Sequence, residues 1–462
     1  MLGLRKKPFN GREKNYSVVI DKFSLAQSKS SGGFGGSVGC IAEESVNCDC
    51  RDGIIRTGLG LEVQRSNGYA VFGKSDAVRF FVVDAEQKLD NDKDTQLYCL
   101  RTNGEVQAYD PVSREYTHVA ILSPISRIVH VSDEDGYKGL LASGEDKYYI
   151  RQFGFWVQYP MDNANGTICV CKDRVFLGLN KKAIAYSDPA GLWNFGSSAK
   201  WAGKLYLDYD FGEIVSLLCF ENRVYAFHQF GVVRLEVDGD ASKFKVQPLD
   251  YTGGEIYGDS VGVCGNSVFF LAADGVYRFD GKKFARVDFG LAILPSTQVK
   301  KCEYGVCGDK YLVQYTDYFG QERGVAIAAD GKSGYFTDVR TGLSQCGGLA
   351  LCVADGYVCA LSESGPLGGG ESYEFTTQRT DFGVRGRKTL KCLRFEGDGF
   401  INAYVYVNGF VKSEWLQFQG GVATMDLRAV GDTFYFTFLC EKDTCIRRIT
   451  ASFSTAECKE NG

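Results

Sequence analysis

"GNSVFFLAADGVYRFDGKKF", residues 265–284, decides the fold. It holds an apolar run, an Asp-Gly pair, a second run alternating apolar with polar, and another Asp-Gly. Alternation at period two buries one face of a chain and wets the other, which is the pattern of a β-strand. Asn, Asp and Gly between the runs suit tight turns, because they tolerate left-handed backbone or bond their own main chain. Taken alone, the stretch is a hairpin with two acidic turns.

The phrase returns along the chain. "CKDRVFLGL" starts at Cys171, "FENRVYAFH" at Phe220, "CGNSVFFLA" at Cys264, "CGDKYLVQY" at Cys307 and "VADGYVCAL" at Val353, at intervals of 43 to 49 residues. Weaker copies stand at "TQLYCL" (95–100) and "EDGYKGLL" (134–141). A second alternating run follows most copies, as in "GVVRLEV" (231–237), and then a short third one, as in "KFKVQPL" (243–249). Four antiparallel strands in each ~40–45 residues, repeated radially, are the signature of a β-propeller. The five clear and two weak copies predict six or seven four-stranded blades, without the Gly-His … Trp-Asp signature of WD40 repeats. The opening stretch then becomes the inner half of one blade, and Asn266, Asp274 and Asp280 become turn formers.

Composition agrees with an all-β chain. Aromatics reach 13%, and 56 Gly stand against 8 Pro in 462 residues; aromatic residues fit pleated surfaces and Gly fits tight turns. "SKSSGGFGGSVG" (28–39) reads as flexible, so residues 1–50 are expected to be an N-terminal arm or linker. Residues 51–365 would form the propeller. The period stops after "SESGPLGGGES" (362–372), and new alternating runs such as "FINAYVYVNGF" (400–410) follow. Residues 366–462 are therefore expected to form a C-terminal β-sandwich of six to eight strands.

The net charge of −5 argues against wrapping nucleic acid with a basic face. The basic start "LRKK" (4–7) precedes no apolar core, which argues against a secretory signal. No apolar run approaches the ~18–20 residues of a membrane helix, so no membrane insertion is expected. The 17 cysteines are odd in number and most sit in apolar runs, as buried reduced thiols do. Zinc would fall on Cys48 and Cys50 with Cys40, or on Cys169 and Cys171. Structural zinc favours paired Cys-x-x-Cys knuckles, and the chain has no such pair of pairs.

Catalytic patterns are weak throughout. Only His118, His130 and His228 offer imidazole, and His228 lies mid-strand in a repeat. No Gly-x-Ser-x-Gly elbow occurs. Gly331-Lys332-Ser333 lacks the upstream Gly of a phosphate loop, since Ala326 stands there. Asp90, Asp92 and Asp94 begin like a calcium loop, but Thr95 and Arg101 occupy its Gly and Glu positions. "YSDPAGLW" (186–193) resembles a sialidase Asp-box with one residue too many. Trp156, Trp193, Trp201 and Trp415 read as fillers between sheets rather than sugar platforms. The expectation is a protein that is no enzyme, with no catalytic, cofactor-binding or metal residues and no cofactor.

Three phrases carry a resemblance. "SVNCDCRDGIIRTGLGLEV" (45–63), "KKAIAYSDPAGLWNFG" (181–196) and "YEFTTQRTDFGVRGRKTLKCLRFEGDGFINAYVYVNGF" (373–410) resemble, in that order, segments of the hub or nozzle propeller proteins of tailed-phage tails. The resemblance implies a structural virion component, present as a homo-oligomeric ring that prolongs the DNA channel and helps retain or gate packaged DNA. Its partners would be a portal or adaptor protein above and tail fibre or receptor-binding proteins alongside, with DNA only in transit. It would fold and assemble in the host cytoplasm and reside in the virion, where an acidic surface and reduced cysteines are both at home. The alternative reading is a carbohydrate- or receptor-binding, or glycan-cleaving, propeller. A bacterial interaction scaffold outside any virion is a third.

Overall fold

The computed structural model describes residues 13–20, 22–24, 39–46, 48–50, 54–66, 68–83, 96–132, 138–152, 155–180, 182–192, 194–196, 201–287, 295, 302–317, 319–363, 373–384, 386–441 and 443–456. The all-β expectation holds. Among the described residues the helical elements are two 3-10 turns, Ala241–Lys243 and Gly258–Ser260. None is long and apolar enough to cross a membrane.

Four-stranded antiparallel meanders follow one another along the chain. The first comprises Ala77–Val83, Gln96–Arg101, Glu105–Asp110 and Glu115–Ile121. Further on come Ile214–Phe220, Arg223–His228, Gly231–Glu236 and Lys245–Leu249; then Gly262–Cys264, Ser267–Ala272, Gly275–Phe279 and Phe284–Arg286; then Cys302–Cys307, Lys310–Thr316, Glu322–Ala328 and Gly334–Thr337.

Between 127 and 206 six strands form one sheet, because Lys138–Gln152 and Phe155–Cys171 each change partner midway. Residues 138–143 pair with Arg127–Ser132, and 145–152 pair with the next strand. That next strand then turns its second half to Arg174–Leu179. Asp146 and Asn163, at φ +56° and +67°, lie at the switches, where short polar side chains tolerate left-handed backbone. The six strands thus act as two meanders in tandem.

The last meander takes Thr341–Cys346, Leu349–Ala354 and Tyr357–Ser362, and its outer strand is Gly60–Val63 from near the start of the chain. The 341–362 sheet also meets the first one. Phe80 N–H donates to Ser344 Oγ at 3.0 Å, and the Cys346 thiol donates to Phe80 O at 3.0 Å.

Each meander buries its middle strands most deeply: every residue of Ser267–Ala272 and of Arg174–Leu179 is buried. Two expectations shift as a result. The opening stretch supplies the second and third strands of its sheet, so it forms the middle rather than the inner half. The phrase at Val353 falls on the second-to-third turn, whereas the other four clear copies fall on first-to-second turns. Its true equivalent starts at Cys346, where the flat "CGGLALCVA" hides the repeat.

After residue 373, Lys388–Asp398, Val422–Gly431 and Cys445–Ala456 lie in one sheet, and Tyr373–Thr377, Tyr435–Cys440, Phe400–Val407 and Phe410–Gln417 lie side by side in another, which continues through Gly39–Val46 into Gly334–Thr337 of the 302–337 meander. Strict alternation, as in Val422–Gly431, buries one face of each. Phe375, Phe395, Phe436, Phe438 and Phe453 fill a shared core, with Phe395 edge-on to Phe438 at 5.6 Å.

Residues 1–50 contain more than an arm. Glu13–Ile20 pairs with Cys445–Ala456 over eight residues, and Gly39–Val46 pairs with Tyr373–Thr377. A linker-like composition in one stretch does not prevent flanking alternating runs from finding sheet edges. The Ser/Gly-rich residues 28–38 lie outside the described residues.

Candidate functional site

The first strands of the meanders converge on a cavity of about 370 Å³. Phe80, Ile128, Cys169, Leu217, Tyr304 and Ser344 line it, one from each successive first strand, while Val261 precedes the first strand of the 262–286 sheet. Apolar residues dominate these strands because they also pack against neighbouring sheets. Two arginines and an aspartate stand out among them.

Asp259 sits on the 3-10 turn that opens the 262–286 sheet. Arg79 Nη2 reaches its Oδ1 at 2.7 Å and Arg127 Nη2 reaches the same oxygen at 2.6 Å. Arg79 and Arg127 belong to the two sheets farthest from Asp259 in the order of the chain, so the ion pairs span the cavity. The other guanidinium arms are also occupied: Arg127 Nη1 donates to Ser216 Oγ at 2.8 Å and Arg79 Nη1 to Ser126 O at 3.3 Å. Burial works to raise the Asp259 carboxyl, and the two guanidiniums outweigh it, holding it at about 2. Gly258 permits this turn, since a Cβ there would stand 2.0 Å from Val215 O of the neighbouring sheet. The arrangement is a charged strut joining four sheets, with every charge turned on a protein partner.

A second polar anchor lies outside the cavity. Arg174 is 1% exposed, yet among the described residues no carboxylate holds it. Its Nη1 donates to Ser187 O at 2.7 Å and to Trp201 O, and its Nη2 to Gly239 O at 3.0 Å. Tyr186 and Phe244 pack near the guanidinium at 5.8 and 5.6 Å. The chain from 174 to 239 is thereby stitched together across two sheets. None of Arg79, Arg127, Arg174 and Asp259 was singled out from the sequence. A signal exists for the arginines: a guanidinium inside the apolar runs "AVRFFVV" and "DRVFLGL" must find partners there.

The residues weighed on sequence grounds do not assemble into one site. His228 is fully buried, with Nδ1 3.1 Å from Gly212 O and Nε2 without a hydrogen-bond partner among the described residues; burial lowers its pKa. His118 is exposed and lies 3.1 Å from Glu105 Oε1; Gln107, His118 and Arg101 together hold Glu105 at about 2. His130 lies on Arg127–Ser132. Gly331-Lys332-Ser333 is the turn after Glu322–Ala328, where Lys332 N–H donates to Asp330 Oδ1 at 2.9 Å. Asp188 shapes its own turn by accepting from Ala190 N–H at 3.0 Å. Asp90, Asp92, Asp94 and Trp193 lie outside the described residues.

Asp274 accepts from Gly254 N–H at 2.8 Å and Tyr277 O–H at 2.6 Å, and Asp280 from Lys282 and Lys283 N–H at 3.0 and 2.8 Å. Asn266 follows Gly265 (φ +58°) in its turn. Cys48 and Cys50 place their sulfurs 3.8 Å apart in the core, where burial pushes the Cys48 thiol up. Cys171 meets Cys219 of the adjacent sheet, which lowers the Cys219 pKa. Among the described residues no three His, Cys, Asp or Glu side chains form a metal-holding group. Trp156 is half-buried, while Trp201 and Trp415 are exposed.

No protein-family model matches the chain, and no curated protein does. Among solved structures it is similar in shape to BBS1N in complex with ARL6DN, at 9% identity over 62% of this chain and 94% of that one, with a TM-score of 0.42. U3-55K matches at 12% identity over 65% and 98%, with a TM-score of 0.39. The extracellular domain of the putative hybrid two-component system BT3049 from B. thetaiotaomicron matches at 11% identity over 80% and 54%, with a TM-score of 0.41. Likeness at this level says nothing of function.

Proposed function

We propose that the chain is a non-enzymatic structural subunit of a tailed-phage tail or portal-vertex assembly, acting as hub or nozzle. In this reading the meanders are the seven blades of a β-propeller, closed by Gly60–Val63, and the sheets after residue 373 form a β-sandwich domain that the N-terminal strands complete. Supporting the count is the cavity, whose lining draws on seven successive inner strands or the turn before one.

The observation that carries the structural role is the Arg79–Asp259–Arg127 strut. It ties opposite sides of the ring to each other and turns the charges that line the cavity on protein partners. A cavity of about 370 Å³ admits waters or a small molecule but not a DNA duplex. DNA would therefore travel between copies arranged in a ring, past their outer surfaces, and not along the axis of one chain. A net charge of −5 leaves such a passage free of tight DNA binding.

Electron microscopy of the purified chain, and of virions carrying a labelled copy, tests the reading. Rings of several copies, or label at the tail vertex, are expected. Virions lacking the chain, or purified protein that releases sugar from surface polysaccharide, would overturn it in favour of the glycan-directed alternative.

A further inference from the structure

Phe410–Gln417 is the outermost strand of its sheet, paired among the described residues with Phe400–Val407 alone. Exposed edges invite pairing, and proteins usually blunt them with short strands, bulges, proline or unmatched charge. Of those defences this edge has only charge: Lys412 and Glu414, on its inner face, lie 3.9 Å apart, and Lys412 also donates to Asp426 O. It runs eight residues in unbroken register with its neighbour and contains no proline. Its outward face carries Val411 at 47% and Trp415 at 58% exposure, either side of exposed Ser413. Its other face carries Lys412 and Glu414, half exposed, and buried Leu416.

We propose that this edge is self-complementary and that two copies of the chain pair through it, strand against antiparallel strand, about a two-fold axis at Ser413. The register follows from the residues. With the axis at Ser413, Lys412 of each copy lies opposite Glu414 of the other, Val411 opposite Trp415, and Phe410 opposite Leu416. Opposite charges and aromatic–aliphatic pairs directly across strands stabilise a sheet, and like charges there destabilise it. An axis perpendicular to the sheet keeps outward faces together only if it passes through a residue, so that paired residues share parity, and the nearest competing axes pass through Lys412 or Glu414. Those place Lys412 against its own copy or Glu414 against its own copy. One register of the three is favoured, as a two-fold, isologous contact requires. The pairing would also extend across both copies the aromatic outer face on which Phe400 stacks with Trp415 and Tyr406 with Tyr435.

The inference does not rest on the phage reading, and each fails separately. Sedimentation velocity of the full chain over a concentration series tests it, using the wild type, Lys412→Glu, and the charge exchange Lys412→Glu with Glu414→Lys. Expected are a reversible two-fold association in the wild type, weakening by roughly tenfold or more in Lys412→Glu, and its return in the exchange. Both changes lie on the surface, and far-UV circular dichroism verifies that each variant is folded. A wild type that stays monomeric at its highest soluble concentration overturns the proposal. So does an association that Lys412→Glu leaves unchanged, or one that the exchange fails to restore.

Discussion

Lys310 Nζ lies 3.2 Å from Asp49 Oδ2, and the two side chains are 7% and 3% exposed. Lys310 belongs to the 302–337 meander, while Cys48–Asp49 pairs with Ile55–Thr57, which pairs in turn with Cys445–Ala456. A buried ion pair therefore joins the repeat to the body built around residues 373–456. The Tyr335 ring lies 5.8 Å from the ammonium, and its hydroxyl accepts from Leu59 N–H at 2.7 Å, reinforcing the joint.

Removing one partner leaves the other charged and enclosed. Asp49→Ala is expected to destabilise the chain by about 3–5 kcal/mol, whereas Asp49→Leu with Lys310→Met recovers most of that loss. Urea denaturation followed by tryptophan fluorescence measures both. Equal losses in the single and double variants would show that the ionic pairing is not what matters at this joint.

Acid should release the cavity strut. The folded carboxyl of Asp259 is held at about 2, below its ordinary value of 3.8. A depressed carboxyl contributes stability above its unfolded pKa and loses it as pH falls through the folded value. The wild type should thus lose this contribution between about pH 4 and pH 2. Asp259→Asn should be less stable at pH 7 and show a smaller decline in that window. Unfolding midpoints across the range, compared between the two proteins, decide it.

His228 predicts a second pH effect, closer to neutrality. Burial depresses its pKa, with the Gly212 carbonyl opposing and Lys182 adding to the depression. The unfolded chain then binds a proton more readily than the folded one, so stability falls as pH drops below the ordinary histidine value near 6.5. His228→Gln should flatten the urea midpoint between pH 7 and pH 5. A slope unchanged by the substitution would assign that acid sensitivity to other groups.

Arg174→Met leaves the Ser187, Trp201 and Gly239 carbonyls without their donor, the first of them buried, at a cost of roughly 2–3 kcal/mol. Arg174→Lys should recover little, because an ammonium cannot imitate the planar fork that reaches Ser187, Trp201 and Gly239. Thermal denaturation of the two variants beside the wild type provides the comparison.

What the sequence by itself determined was local and periodic. The alternation in "SVFFLA" and "GVYRFD", the Asp and Gly turns between such runs, and their return every 43 to 49 residues all report short-range backbone chemistry. That was enough for the β class, the repeat and the turn role of Asp280, whereas Asp274 sits in its turn but spends its carboxylate on Gly254 N–H and Tyr277 O–H. It missed the copy at Cys346, whose first-to-second turn is Gly-Gly and carries no Asp or Asn marker.

Only the tertiary structure decided the rest. Period-two alternation says which face of a strand is buried, not which strand lies beside it. Leu61 meets Leu361, Glu13 meets Ala456, and Asp259 meets Arg79 across 180 residues of chain. Such partners are chosen when separate apolar faces close on one another, and the few charges caught inside must then satisfy one another.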